Sequence, residues 1–152
     1  MLRITRETDY GILILSSLAC DAVGATHAAP ELAERIGLPV PIVSKILKTF
    51  VRGGLLESER GVKGGYRLIR LPEEISVSDI IEALEGPIAL TVCSEDSELD
   101  CEHENCCPMR SNWQIINDRI KKTFDSITLA EMANPHGLES SLREEGNSGG
   151  AR

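Results

Sequence analysis

The chain has 152 residues, 41% of them hydrophobic and only 3% aromatic, enough for one compact domain with appendages and an aliphatic core. So few aromatic rings argue against a protein that binds single strands by base stacking. The formal net charge of −8 argues at first against nucleic acid, but residues 1–72 carry ten Lys/Arg against seven Asp/Glu while residues 73–152 carry six against seventeen. Charges are screened beyond about 8–10 Å at physiological salt, so a basic head can bind DNA despite an acidic rear.

In chain order, a first helix is predicted from about Thr5 to Cys20, with Ile4, Ile12, Leu15, Leu18 and Ala19 on its apolar face and Cys20 as a small core residue. The apolar run 11–19 is shorter than the roughly 20 residues a membrane span needs. Glu7 and Asp9 spoil it as a secretory leader, and no small-residue cleavage site follows. A cytoplasmic protein with reduced thiols is the expectation. After a connection over 21–28, Pro30 suits the first turn of a second helix, Glu31 favours its positive dipole end, and Gly37 ends it as a left-handed cap. A third helix runs from Pro41 to the Gly53-Gly54 pair. Two short helices joined by a glycine-containing turn match a helix-turn-helix.

Residues 55–60 and 66–70 flank Gly61-Val62-Lys63-Gly64-Gly65 and read as a two-stranded wing. Ser76 and Asp79 form a weak capping box for a further helix that ends near Gly86-Pro87. Pro108 can open a long helix to about Phe124, and Thr128 with Glu131 caps a short last one. From Asn134 the chain is rich in Gly, Ser and Glu, and disorder is expected. The expected fold is therefore mainly α with a small β-hairpin, a winged helix-turn-helix followed by a long helix.

At about 100° per residue, Pro41, Ser44, Lys45, Lys48 and Arg52 share one arc of the third helix, opposite Ile42, Val43, Ile46, Leu47 and Phe50. A second helix with one basic, polar face is what a major-groove reader needs. Lys45 suits guanine O6 and N7 and Ser44 suits several base edges, whereas Lys48 and Arg52 suit phosphates. The wing adds Arg60 and Lys63 for phosphate or minor-groove contact.

Cys93, Cys101, Cys106 and Cys107 fall within fifteen residues. Soft thiolates at loop spacing are metal ligands far more often than packing residues, and zinc or iron–sulfur are their usual occupants. The spacing Cys93-x7-Cys101-x5-Cys107 is not a pair of CxxC motifs, which disfavours a zinc ribbon, and a reducing compartment disfavours a disulfide. With no CxxC, no phosphate loop and no base beside a nucleophile, the chain does not read as an enzyme.

The segments 1–5 (MLRIT), 38–47 (LPVPIVSKIL) and 60–66 (RGVKGGY) resemble the Rrf-type iron–sulfur transcription regulators, which include IscR-like and NsrR-like branches. Segments 82–90 (EALEGPIAL) and 128–132 (TLAEM) look most like the branch that regulates SUF-system cluster assembly. The likeness covers about residues 1–133. It implies a homodimer that binds operator DNA, and an iron–sulfur cluster (2Fe–2S or 4Fe–4S) on Cys93, Cys101 and Cys107, counted back from Trp113. The IscR type takes its fourth ligand from a histidine where this chain has Arg110. The NsrR type takes an aspartate from the partner's first helix, and Asp9 matches that position; Cys106 and His103 compete with it. The resemblance also implies that the long helix, with Met109, Trp113, Ile116, Ile120 and Ile127 on one stripe, crosses its twin. The expected organisation is a DNA-binding domain over 1–86, a cluster loop over 87–107, a dimerisation helix and short helix over 108–133, and a tail over 134–152. A zinc-stabilised or thiol-switched DNA-binding repressor is the competing reading.

Overall fold

A computed structural model describes residues 4–91, 108–134 and 136–139. Helix α1 (Arg6–Ala19) is capped by the Thr5 side chain, which accepts from the Thr8 N–H. Helix α2 (Ala29–Ile36) has proline in its first turn and stops at Gly37, whose φ of 70° is the left-handed cap expected of glycine there. Helix α3 (Val40–Arg52) leads into strands β1 (Leu56–Glu59) and β2 (Gly65–Leu68). These pair antiparallel in the register Leu56–Leu68, Glu57–Arg67, Ser58–Tyr66 and Glu59–Gly65. A short 3₁₀ turn (Pro72–Glu74) precedes α4 (Val77–Glu85); α5 (Arg110–Ser126) and α6 (Leu129–Ala133) follow.

Ile14 and Leu15 of α1, Leu32 of α2, Val43, Ile46, Leu47 and Phe50 of α3, Ile80 of α4 and Leu129 of α6 are fully buried in one core. Both predicted capping boxes form, Ser76 with Asp79 and Thr128 with Glu131. Their two N-termini are joined back to back: the Val77 N–H donates to Ile127 O at 2.8 Å and the Leu129 N–H to Ile75 O at 2.7 Å. A similar two-bond bridge links His27 to Tyr66 and so ties the start of α2 to the wing.

Four expectations need correction. Cys20 is an exposed free thiol at the C-cap of α1, because the helix ends at Ala19 and Cys20 falls beyond its packed face. Ile12 packs half-buried against the core as expected, with Ile14 fully buried beside it, but Ile4 is exposed ahead of the helix. Ile42 is exposed, since the first turn of α3 contributes no buried side chain before Val43. The long helix starts at Arg110 rather than Pro108: residues 108 and 109 form a turn, and the Trp113 N–H bond to Met109 O (3.0 Å) sets the beginning of the α-helical ladder. At the start of the expected tail, Asn134 caps α6, and the Gly137 N–H donates back to its carbonyl at 2.9 Å. Residues 140–152 lie outside the described residues.

A contact across 80 residues fixes the start of α1. Glu85, the last residue of α4, accepts at one carboxylate oxygen from the Thr5 N–H (3.2 Å), the Thr5 hydroxyl (2.8 Å) and the hydroxyl of fully buried Thr8. Partial desolvation works to raise the carboxyl of Glu85, an exposed residue, but the hydrogen bonds from Thr8 and Thr5 outweigh it and hold the group below the usual carboxylate value. A depressed folded-state value contributes stability above the unfolded value and loses it as pH falls through the folded one. The apo protein should therefore lose this contribution as pH falls below about 4.5, and Glu85→Gln should flatten that part of a thermal-melt pH profile. An unchanged acid limb would remove Glu85 from this role.

Candidate nucleic-acid interface and cysteine loop

The buried face of α3 packs it on the core and turns Lys45, Lys48 and Arg52 outward, with Ser44 half-buried at the margin. All four predicted reading or phosphate residues thus share one accessible side of the helix. Its N-terminus has no acidic residue in the first turn and no capping side chain, so the positive dipole end is left for an anion. In the wing, Arg60 and Lys63 are exposed on the loop between β1 and β2, beside Val62 at its tip.

Partners sort the cations of the basic head. Arg35 bonds Asp21 (2.5 Å) and Glu31 (3.1 Å), which with burial opposing holds its guanidinium above its ordinary value. Arg67 lies between Glu57 (2.9 Å) and Glu59 (3.2 Å) on the wing strands, and Arg70 reaches Asp79 at 3.1 Å. These three are neutralised locally. Among the described residues, Lys48, Arg52, Arg60 and Lys63 have no carboxylate partner; Arg52 bonds only the Thr49 hydroxyl, at 3.1 Å. Lys45 differs: its ammonium bonds Glu7 of α1 at 3.0 Å. Sequence reading missed this pair because 38 residues separate its members.

Cys93, Cys101, Cys106, Cys107 and His103 lie outside the described residues. The chain entering their segment is firmly held. Asn117, the buried residue of α5, donates its amide to Ile88 O at 3.1 Å and accepts the Leu90 N–H at 3.0 Å. A buried amide that satisfies both a backbone donor and an acceptor avoids a desolvation cost of about 1–3 kcal/mol for each group. Lys121, one turn on, bonds Glu82 of α4 at 2.6 Å. Neither contact has a motif signature.

Asp9 is exposed in the first turns of α1, and its carboxylate makes no hydrogen bond or ion pair among the described residues. No group of three His, Cys, Asp or Glu side chains among the described residues could hold a metal ion. On α5, Ile120 and Phe124 line a cleft with Ile4, Ile81 and Pro87. The N-terminal half of the helix is uncovered: Met109 is 50% exposed, Trp113 41%, Ile115 52% and Ile116 41%. Among the described residues no helix is long and apolar enough to cross a membrane.

Residues 4–135 match the family Rrf2, described as iron-dependent transcriptional regulators. The chain is 32% identical to protein aau3 of Rhizobium meliloti, across 95% of this chain and 97% of that protein. It is similar to the solved structure of CymR, the global cysteine regulator of Bacillus subtilis, with a TM-score of 0.67, 31% identity, and coverage of 88% of this chain and 97% of that one. The structure of T. potens IscR matches with a TM-score of 0.62 and 27% identity, covering 99% of this chain and 93% of that one. Relatives of this kind are named as transcription regulators rather than enzymes. A mainly helical chain with a small antiparallel wing, matched along nearly its whole length, belongs to the Rrf2 family of DNA-binding transcriptional regulators.

Proposed function

We propose that this regulator works as a homodimer in the cytoplasm, carries an iron–sulfur cluster and controls genes for SUF-type cluster assembly. Cys93, Cys101 and Cys107, with Asp9 from the partner's first helix, would hold the cluster. That donor set fits the group chemically: three soft thiolates suit iron–sulfur, and one carboxylate leaves a weaker corner. When bound, the cluster would supply a labile centre responsive to oxygen, nitric oxide or iron supply. The observation that carries the reading is the exposed Asp9 carboxylate, without a partner among the described residues, on the same face-forming helix that packs on α3.

The exposed Met109, Trp113 and Ile116, which share one stripe at the start of α5, support the dimer, since large apolar side chains grouped at a surface favour association. Two copies of α3 could then reach half-sites about one DNA turn, roughly 34 Å, apart. Ser44 and Lys45 would read bases, and Lys48, Arg52, Arg60 and Lys63 would hold phosphates. Cluster occupancy would act by favouring one spacing of the two heads. Protein purified without air is expected to be brown, with visible charge-transfer absorption and stoichiometric iron and sulfide. Colourless protein holding zinc, or no metal, overturns the cluster reading. A second reading, a zinc-stabilised or thiol-switched repressor, draws support from the likeness to the cysteine regulator CymR; a colourless protein whose DNA binding responds to thiol oxidation would favour it.

A further inference from the structure

The ion pair between Glu7 and Lys45 joins the first turn of α1 to the outward face of α3. The Lys45 side chain is 68% exposed and that of Glu7 39%, so solvent screens the pair and it contributes little to stability. Its consequence lies at the DNA interface. An ammonium has three N–H donors. With one on Glu7, two remain, the number that guanine O6 and N7 accept in the major groove. The same pair is electrically neutral, so it gains nothing from counterion release at a phosphate. The other outward cations, Lys48, Arg52, Arg60 and Lys63, have no such carboxylate among the described residues.

We propose that Glu7 is a specificity-determining residue of the DNA interface: its carboxylate tethers Lys45, withholding that ammonium from phosphates while leaving it donors for a base edge. Glu7 acts through Lys45 and is a positioning residue. The proposal rests on the reading of α3 as the helix that enters the groove.

The test uses the full-length apo protein and its E7Q, K45Q and E7Q/K45Q variants. Each is measured on a random-sequence duplex and on the duplex that it selects from a randomised pool. E7Q should steepen the slope of log affinity against log salt on the random duplex by about 0.9, the share of one phosphate contact. Its affinity relative to the parent protein should then grow about threefold between about 200 and about 50 mM salt. Its ratio of selected to random affinity should fall, and the double variant should match K45Q alone. An E7Q protein with the parent slope and ratio overturns the proposal. An equal steepening in the K45Q background also overturns it, since Glu7 would then act by its own field. If K45Q binds every duplex like the parent, the reading of α3 fails as well, which separates the two failures. Should E7Q not fold, E7D retains the first-turn charge on α1 but draws the carboxylate back by one methylene, and the same slope and ratio decide.

Discussion

Replacing Asp9 with alanine is expected to shorten the lifetime of the proposed cluster at least tenfold, to order of magnitude, while leaving the DNA affinity of the apo protein unchanged; removal of even an outer-shell partner costs metal sites about that much. A carboxylate oxygen is a harder ligand than a thiolate and holds iron at a sulfur-rich centre less firmly. Asp9→Cys should accordingly retain the cluster longer than the parent protein. Asp9 is exposed and makes no hydrogen bond or ion pair among the described residues, so the proposed DNA-reading face has no reason to change. Its loss from the first turn of α1 costs only the dipole interaction, about 0.3–1 kcal/mol. Decay of visible absorbance in air, iron release to a chelator and electrophoretic mobility shift of apo protein measure the three quantities. Unchanged cluster lifetime would take Asp9 out of the ligand set and leave Cys106 and His103 as the candidates for the fourth position.

Phe50→Ala should cost about 3–5 kcal/mol of unfolding free energy, a large part of the 5–15 kcal/mol, roughly, that keeps a domain folded. Phe50 is fully buried on α3 and reaches across to Gly11 in the middle of α1. A methyl group added at Gly11 would lie 2.8 Å from the Phe50 ring and 2.6 Å from Leu84 of α4. Glycine inside a helix sacrifices about 1 kcal/mol against alanine, and here that sacrifice admits the ring that seats α3. Emptying the Phe50 site leaves a cavity whose walls belong to helices already in contact, so they cannot collapse fully. Urea denaturation of the apo protein reads the loss, and weaker binding to all duplexes should accompany it. Lys48→Ala, on the outward face of the same helix, should stay within about 0.5 kcal/mol. Equal stability of the two variants would contradict the orientation of α3.

Much of the fold was legible because its signals are local. Thr5, Ser76 and Thr128 are caps whose partners sit three residues away. Gly37 needed only its own dihedral angles, and the wing is a short glycine-rich loop between complementary strands. The 3.6-residue period likewise separated the buried Val43, Ile46, Leu47 and Phe50 from the outward Lys45, Lys48 and Arg52. Periodicity names a face, however, and not the extent of its cover. That is why the period assigns Ile4, Cys20 and Ile42 to a core that stops short of them. The stripe on α5 shows the same gap: its period is plain, but only packing reveals that its first half is bare.

By itself, then, the amino-acid order determined the helices, the hairpin, the basic outward side of α3 and the family resemblance, all of which depend on neighbours within a few positions. Tertiary structure alone decided which polar groups meet: Glu85 with Thr5 and Thr8, Asn117 with Ile88 and Leu90, and Glu7 with Lys45. Each of those meetings joins residues tens of positions apart, and side chains so distant along a chain come within 3 Å or so only after the helices carrying them have packed.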